Sequence, residues 1–443
     1  MKSLSPIIIR LLLLVIPLVS LPLFAQQSRI MHADIPGGNV LTLRAEIDGR
    51  LDAFPVLRLG GEDAMEVSFD EMSHEYHRYV YRLQHCTYDW HPTDGLFYSE
   101  YAEYTQEEIP IEDYEESQNV TTHYTHYRFT FPSPDMRPLL SGNYRLTILS
   151  DDSDEPVPVA EVCFAVAESL VGITASVTTD TDVDINASHQ QVAMAADCRR
   201  LTARDLREEV HTVVMQNGRR DNAVIDAAPS YVNGDRLIWD HQRALIFPAG
   251  NEYRKYEILS DRYPGLHTER ISYHAPFLHA TLMDDERRRN YLLTEDQNGI
   301  NVIRNTVNRY DDTETEYMLT HFTLLAPEPL ADADVYLQGA WTTGGLSSEW
   351  QLHYDAEAGA YTGVFMLKQG YYNYQYLVAY HDDMRGEERV VGHTSYFEGD
   401  YYQTSNDYRI LVYHSRPGAR YDRLVGIGEV KNGLCASTNA TNA

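Results

Sequence analysis

Hydrophobic and polar residues alternate along much of the chain in short runs rich in Tyr, Val, Ile, Thr and Phe. In the segment 124–131 the odd-numbered positions are Thr, Tyr, Phe and Phe, whereas the even-numbered positions are Tyr, His, Arg and Thr. Because alternate side chains of a strand point to opposite faces, we expect the odd-numbered face to be buried and the other to meet water.

The same alternation returns in the segments 144–148, 372–379 and 408–413. Clusters of Gly, Pro, Asn and Asp separate such runs about every 8–12 positions, a spacing typical of β-sandwiches. The sequence therefore predicts an all-β protein of tandem immunoglobulin-like, early-set β-sandwich domains with very little helix. One short helix is predicted near Thr202 to Glu209, with Thr202 as its N-cap.

The first 25 residues have the pattern of a secretory signal peptide. Lys2 and Arg10 precede the apolar run Leu11–Phe24, and small Ala25 precedes polar residues. The run is short and interrupted by proline, so we expect cleavage after Ala25 rather than a retained anchor, which is the alternative. The expected product is a soluble exported chain.

Changes in composition predict three folded units and a tail. The units are residues 26–167, 168–314 and 315–427, of which the last would be an early-set sandwich. Residues 428–443 are rich in Asn, Ala, Ser and Thr, and we expect them to be disordered because they bury too little apolar surface to fold alone.

The chain is strongly acidic, with 66 acidic and 36 basic residues and a formal net charge of −30. Such a charge repels phosphate backbones and anionic lipid surfaces, so we expect neither a nucleic-acid partner nor peripheral electrostatic binding to a membrane. We expect no direct membrane insertion either, because no segment after the leader approaches the roughly 20 apolar residues that a spanning helix needs. The alternative is that the acidity serves only solubility.

Four cysteines occur, at positions 86, 163, 198 and 435, and none forms a C-x-x-C pair. A structural zinc site therefore has no support. An oxidising compartment permits one disulfide, and Cys86 with Cys163 is the first pair to test, because both lie in strand-like segments of one predicted unit. Four cysteines allow three full pairings, which stay open.

A cluster of reactive residue types occurs at His85, Cys86, Asp89 and Trp90. Neighbouring strand residues face opposite ways, so His85 cannot activate the Cys86 thiol as a nucleophile. We instead expect a buried Cys86, His85 on the wet face or sheet edge, and Asp89 hydrogen-bonded within a turn. The chain carries no catalytic, metal or nucleotide-binding fingerprint, so we expect no enzyme activity and no cofactor.

Aromatic residues are dense near the C-terminus, where Trp341, Trp350, Tyr372 and Tyr374 fall within a strand layout that resembles early-set domains, including starch- and glycogen-binding modules. Exposed rings there would contact a partner or stack on sugar. The alternative is ordinary cross-strand packing, which Tyr and Trp favour in any sheet.

Several segments in order resemble the plug protein family of the type IX secretion system. They are HCTYDW (85–90), PLLSGNYRL (138–146), QNG (216–218), AGNEYRKY (249–256), LKQGYYNYQY (367–376), EGDYYQTSNDY (398–408) and RYDRLVG (420–426). The resemblance covers nearly the whole chain after the leader, and one departure is Glu314-Thr315-Glu316-Tyr317, where an Asp-Tyr ending is expected.

The resemblance implies a periplasmic protein that closes the periplasmic mouth of a large outer-membrane translocation barrel. It implies no catalytic residues, and its partner would be that translocon barrel. The 33 tyrosines would supply contact area at low entropic cost. The rival hypothesis is a secreted carbohydrate-binding protein that uses Trp341 and Trp350. A hydrolase is a third interpretation, disfavoured because no paired carboxylates are evident.

Overall fold

The computed structural model describes residues 39–51, 54–307, 311–342, 346–381 and 390–432. The predicted signal peptide, the tail after residue 432 and Cys435 lie outside the described residues. Those described form 30 β-strands, two α-helices of four residues each and three short 3-10 helices. The prediction of an all-β protein with very little helix is therefore confirmed.

The strands are numbered in chain order. The first twelve are β1 (Val40–Ile47), β2 (Arg50–Leu51), β3 (Val56–Arg58), β4 (Met65–Glu71), β5 (Tyr79–Cys86), β6 (Ala102–Tyr104), β7 (Ile109–Pro110), β8 (Asp113–Glu116), β9 (Thr125–Phe131), β10 (Met136–Pro138), β11 (Gly142–Ser150) and β12 (Val157–Ala167). The next seven are β13 (Gly172–Thr178), β14 (His189–Asp197), β15 (Val210–Gln216), β16 (Val224–Ile225), β17 (Tyr231–Asn233), β18 (Arg236–Trp239) and β19 (Ile246–Pro248).

Eleven strands follow. They are β20 (Arg254–Ile258), β21 (Thr268–His274), β22 (Phe277–Leu282), β23 (Asn301–Ile303), β24 (Tyr317–Leu325), β25 (Ala333–Gln338), β26 (Gln351–Asp355), β27 (Ala360–Lys368), β28 (Gly370–Tyr380), β29 (Asn406–His414) and β30 (Arg423–Asn432). The helices are α1 (Tyr98–Tyr101) and α2 (Leu206–Glu209), with 3-10 turns at Arg243–Leu245, Ala340–Thr342 and Ser348–Trp350.

Helix α2 begins later than its sequence predicts. The Asp205 carboxylate accepts a hydrogen bond of 2.9 Å from the Arg207 backbone N–H, so Asp205 and not Thr202 is the N-cap. Thr and Asp side chains can both accept a hydrogen bond from an unpaired backbone N–H at the start of a helix. The sequence pattern alone therefore does not show which of two candidates, three positions apart, is the N-cap.

The N-terminal unit, residues 40–167, is a sandwich of two sheets. One is a five-stranded sheet in the order β2-β1-β4-β9-β8. The other contains β11 at its centre, paired antiparallel with β12 and β5 along its length. Side chains of both sheets meet in one core that includes Phe69, Tyr127, Leu146 and Phe164. Strand β11 contributes Tyr144, Leu146 and Ile148 to this core, because alternate residues of a strand share one face.

The second sheet continues beyond the N-terminal unit. Its nine strands have the order β16-β15-β29-β30-β12-β11-β5-β7, with β3 also on β12. The join is made where β12 meets β30 in parallel at Ala167 and Leu424. Strands β15, β29 and β30 then pack against the five-stranded sheet β13-β14-β18-β17, with β19 on β14, to form a second core.

The middle unit therefore combines residues 170–250 with residues 406–432. This corrects two predicted boundaries. The segment 406–427 does not belong to the third unit, because β29 pairs with β15 from Val210↔His414 to Gln216↔Tyr408. Residues 428–432 are not tail, because they continue β30 along β29 as far as Asn406↔Asn432.

The third unit, residues 254–404, is a single nine-stranded sheet in the order β20-β28-β25-β26-β27-β24-β22-β21, with β23 on β28. The sheet encloses a third core rich in aromatic rings, among them Tyr256, Phe322 and Tyr374. Because β20 to β23 come from residues before 314, the predicted boundary at 314/315 cuts through this sheet.

The alternation in residues 124–131 predicts the buried face correctly but not the opposite face. Tyr127 and Phe131 are fully buried, as predicted for the odd-numbered face, but Tyr124 and His126 on the predicted wet face are buried too. The cause is the third unit: the Tyr124 hydroxyl donates to the carbonyl oxygens of Asp312 and Thr315, at 2.6 and 2.8 Å. A sheet face that packs against another unit is buried, even where its residues alternate as on a solvent-exposed face.

Candidate interaction site

The His85–Trp90 segment is structural. His85 and Cys86 end β5 and are both buried, so the expectation of His85 on a wet face or edge is wrong. The His85 ring lies 2.8 Å from Thr93 Oγ1 through Nδ1 and 3.2 Å from the Ser141 carbonyl oxygen through Nε2. Both ring nitrogens thus have hydrogen-bond partners, so the polar atoms of this buried imidazole are satisfied.

Burial makes these two side chains chemically inert near neutral pH. It lowers the pKa of His85 to about 4, despite the opposing hydrogen bond to Ser141, and raises the pKa of the Cys86 thiol to about 12. A thiol of this kind is protonated at neutral pH and is not a nucleophile. Asp89 accepts a hydrogen bond from the Thr87 hydroxyl, which confirms its predicted role in the turn.

No disulfide joins Cys86 and Cys163. Cys86 ends β5 and Cys163 lies in β12, and strand β11 runs between them, with Asn143 opposite Cys86 and Arg145 opposite Cys163. Two strand spacings separate the Cα atoms by about 10 Å, whereas a disulfide needs less than about 7 Å. The predicted pairing is therefore corrected: two buried thiols lie on alternate strands of one sheet.

The aromatic residues expected to contact a glycan or partner pack together instead. Tyr372 and Tyr374 are 2% and 0% exposed. Trp341 and Trp350 are half-buried, with ring centroids 5.2 Å apart in an edge-to-face arrangement, and Trp341 lies 5.1 Å from Tyr372. Its indole N–H donates to the Asn373 carbonyl oxygen at 2.8 Å. These rings complete the third core rather than form an open platform for sugar.

A buried ionic cluster lies in the same sheet, beside Tyr374. Arg254 on β20 contacts Asp285 at 2.7 Å and Glu398 at 2.9 Å, and all three side chains are at most 7% exposed. The hydroxyls of Tyr374 and Tyr376 donate to Asp285 Oδ2 at 2.7 and 2.8 Å. Burial alone would raise the pKa of Asp285, but Arg254, His267 and the hydrogen bond from Tyr374 hold it below its ordinary value. The cluster keeps its charges because every partner is present.

A second ionic cluster joins the N-terminal unit to the third unit. Asp70 on β4 accepts from Lys368 Nζ at 2.7 Å and from the Tyr317 hydroxyl at 2.6 Å, and its other oxygen lies 2.7 Å from His126 Nδ1. The pKa of Asp70 is raised by burial and lowered more strongly by Lys368 and His126, so it lies below its ordinary value. Lys368 also lies 4.3 Å from the centre of the Tyr124 ring.

Two further contacts join the middle unit to its neighbours. The guanidinium of Arg219, paired with Asp221, donates to the Gly392 carbonyl oxygen in the third unit at 2.7 Å. The guanidinium of Arg220 lies over the rings of Phe54 and Trp90 in the N-terminal unit, at 4.9 and 5.3 Å from their centres. Buried charges thus hold each unit against the others.

An acidic cavity lies on the surface of the described residues. It has a volume of about 500 Å³, lies beside β8 and is lined by Glu115, Glu116, Asp311 and Glu314 among others. Within the described ranges, no three His, Cys, Asp or Glu side chains are grouped so that they would hold a metal ion. The cavity is an acidic surface feature of a chain that is acidic throughout.

Exposed apolar side chains are the remaining candidates for contact with a partner. Among the described leucines, Leu292 and Leu293 stand out, at 77% and 69% exposed, and they follow one another in the chain. They occupy an irregular segment between β22 and β23. Neither residue is among those predicted from the sequence; the only available signal is an apolar pair inside the otherwise polar run DDERRRNYLLTEDQN, residues 284–298.

Comparison with known proteins gives the class. A family model described as the first domain of the type 9 secretion system plug protein matches residues 40–168. A crystal structure of a hypothetical protein from Parabacteroides merdae is 38% identical with a TM-score of 0.85, over 91% of this chain and 99% of that chain. The fold and the family model define an all-β protein of several units that contains the first domain of a secretion-system plug protein. The chain belongs to the type IX secretion system plug family, as its sequence motifs indicate.

Two more distant solved structures carry no argument about the family or function of this chain. The C-terminal domain of the Streptococcus agalactiae AgI/II polypeptide BspA is 5% identical with a TM-score of 0.15, over 90% of this chain and 100% of that chain. The C-terminal domain of the Streptococcus pyogenes antigen I/II-family protein AspA is 7% identical with a TM-score of 0.15, over 88% and 98%. No curated protein matches the chain.

Family membership associates the chain with components of a secretion system in the cell envelope. In the part of the chain that is described, no helix has the length and apolar character needed to cross a membrane.

Proposed function

We propose that this protein is a non-enzymatic periplasmic plug, which docks on the outer-membrane translocon barrel of the type IX secretion system and occludes its periplasmic opening. Family membership is the observation that carries the proposal. A barrel wide enough to pass folded proteins leaves an aqueous channel, which must be closed when no cargo occupies it.

The architecture supports this role because a plug must keep its shape. The nine-stranded sheet runs without a break from β5 in the N-terminal unit to β15 in the middle unit. The pair Asp70–Lys368 and the contact from Arg219 to Gly392 hold the third unit in place. Breaking the Asp70–Lys368 pair would leave an unpaired buried charge, which is costly.

The chemistry of the buried residues supports a role without catalysis. His85 and Cys86, whose sequence composition suggests a reactive pair, are buried and inert at neutral pH, as their pKa values of about 4 and about 12 indicate. The proposed location rests on the signal peptide predicted from residues 1–25, which would deliver the chain to the periplasm.

Purification of the native complex tests the proposal. A tagged copy of the full-length protein, expressed from its own locus, is captured from detergent-solubilised envelopes, and the co-purified proteins are identified by mass spectrometry. We expect the translocon barrel in a defined ratio to the tagged chain. Capture of the protein without the barrel, under conditions that keep other barrel partners bound, would contradict the proposal.

A leak assay adds a functional readout. Cells that lack the protein are exposed to a large antibiotic that does not cross an intact outer membrane. We expect increased sensitivity, restored by the full-length gene, because an open barrel admits the drug. Unchanged sensitivity in cells that still contain the barrel would show that the protein is not needed as a seal.

A further inference from the structure

The irregular segment 286–297, which we name the strap, is fixed to the third unit at its start. The Glu286 carbonyl oxygen accepts from Arg254 Nη2 at 2.8 Å, and the Arg288 backbone N–H donates to the Phe397 carbonyl oxygen at 2.8 Å. Arg288 also lies 3.5 Å from the Glu398 carboxylate. The buried cluster around Arg254 thus supports the first residues of the strap.

The strap is fixed again at its end. Lys255 Nζ donates to the Glu295 carbonyl oxygen at 2.8 Å, and the Gln297 backbone N–H donates to Asn373 Oδ1 at 2.5 Å. The Asp296 carboxylate accepts from the Tyr253 backbone N–H, and burial raises its pKa to about 6. An irregular segment of this length inside a compact unit is typical of a functional loop.

Between these attachments the strap presents its two leucines. The Tyr291 hydroxyl donates to Glu252 Oε1 at 2.7 Å, and Leu292 and Leu293 follow immediately, 77% and 69% exposed. Apolar side chains on a backbone that is already ordered contact a partner at a lower entropic cost than those on a free loop. The exposed leucine pair therefore lies on an ordered backbone before any partner binds.

We infer that Leu292 and Leu293 are a docking contact that enters an apolar pocket on the periplasmic side of the translocon barrel. The inference rests on the proposed function and names the surface that performs it. The net charge of −30 on the whole chain opposes approach to anionic headgroups and so favours a protein pocket, and flotation with anionic vesicles tests whether the arginines at 287–289 override this repulsion. A protein pocket also fits better than a small ligand, because the pair projects from the surface and encloses no cavity.

Direct binding to the purified barrel tests the inference. Three full-length proteins are compared by surface plasmon resonance: the unmodified chain, the variant Leu292→Ser/Leu293→Ser, and the control Val183→Ser/Ile185→Ser. The control alters two residues of similar exposure, 62% and 70%, in the connection between β13 and β14. Thermal unfolding midpoints verify that both variants fold. Flotation with vesicles of phosphatidylethanolamine and phosphatidylglycerol measures lipid binding.

We expect the Kd of the leucine variant to rise at least about tenfold, because burial of each leucine contributes about that factor or more to an equilibrium constant. The control should bind as the unmodified chain does. Equal binding by all three proteins, equal loss in both variants, or vesicle binding that depends on the leucines would overturn the inference and leave the plug function intact. Failure of the unmodified chain to bind the barrel would instead overturn the proposed function.

Discussion

Lys368 Nζ lies 2.7 Å from Asp70 Oδ2, although 298 residues separate the two in the chain and both side chains are only 1% exposed. The pair connects the last residue of β27 to β4 and so joins the third unit to the N-terminal unit. Burying two charges is costly, and the cost is offset only because His126 and Tyr317 complete the hydrogen bonding of the carboxylate.

We predict that Asp70→Asn or Lys368→Met destabilises the folded protein by about 3–5 kcal/mol, because either change leaves the other charge buried without its partner. The midpoint of urea unfolding at pH 7.5, followed by tryptophan fluorescence, measures the effect. Asp197→Asn is the matched control, since its partner Arg199 is a surface residue with a 73% exposed side chain. Its midpoint should not change, and a similar shift in both variants would contradict the role of the buried pair.

A second prediction concerns acid. His85 has a pKa of about 4 in the folded state, because burial disfavours its charged form, against an ordinary value of 6.5 in the unfolded chain. The unfolded state therefore binds more protons between these values, and the stability that neutral His85 supports is complete above pH 6.5 and lost as pH falls toward 4. The loss amounts to about 3 kcal/mol at pH 4.

Urea unfolding of the unmodified chain and of His85→Gln, each at pH 7.0 and 4.5, isolates this contribution. A glutamine amide can still donate to the Ser141 carbonyl oxygen, which accepts from His85 Nε2 at 3.2 Å, but it does not titrate. We expect a smaller loss of stability on acidification in the variant. The same loss in both proteins would assign the acid sensitivity to other groups.

The strap gives a third prediction. Tyr291→Phe removes the 2.7 Å hydrogen bond to Glu252 and should speed amide hydrogen exchange in residues 288–294, because a local attachment is lost. Tyr263→Phe is the control, since that ring is 73% exposed. Exchange measured by mass spectrometry should change in the first variant only. Unchanged exchange in Tyr291→Phe would show that the other attachments suffice to order the strap.

A fourth prediction concerns the glycine of the motif PLLSGNYRL. Gly142 has φ of +134°, and a Cβ there would lie 2.7 Å from both the Asp422 carbonyl oxygen and His85 Nε2. We predict that Gly142→Ala lowers the free energy of unfolding by about 1–3 kcal/mol or more, as overpacking does. Gly172→Ala, where a Cβ meets nothing within 4 Å, is the control and should be tolerated. Similar unfolding midpoints for both variants would contradict this explanation of the motif.

The sequence predicted strands well where one face meets a core and the other meets water. In β11, Tyr144, Leu146 and Ile148 are fully buried as their alternation indicates. It failed where a strand is covered on both sides. In β28 the residues Asn373 and Gln375 have polar side chains, yet they are 0% and 4% exposed because other parts of the third unit cover them.

The sequence also did not predict which distant strands pair with each other. Nothing near Asn406 indicates that β29 returns to β15, because the register Gln216↔Tyr408 depends on two segments nearly 200 residues apart. The disulfide prediction failed similarly, since strand character in Cys86 and Cys163 does not reveal that β11 separates them. The family, by contrast, was accessible because its motifs recur in order along the chain.

Single-channel recording tests the central claim most directly. The purified translocon barrel, freed of its partners, is inserted into a planar lipid bilayer, and the full-length protein is added to the periplasmic side. We predict a large open conductance that falls in discrete steps toward zero as the protein binds. An open conductance that persists while the protein is bound to the barrel would show that it docks without closing the channel.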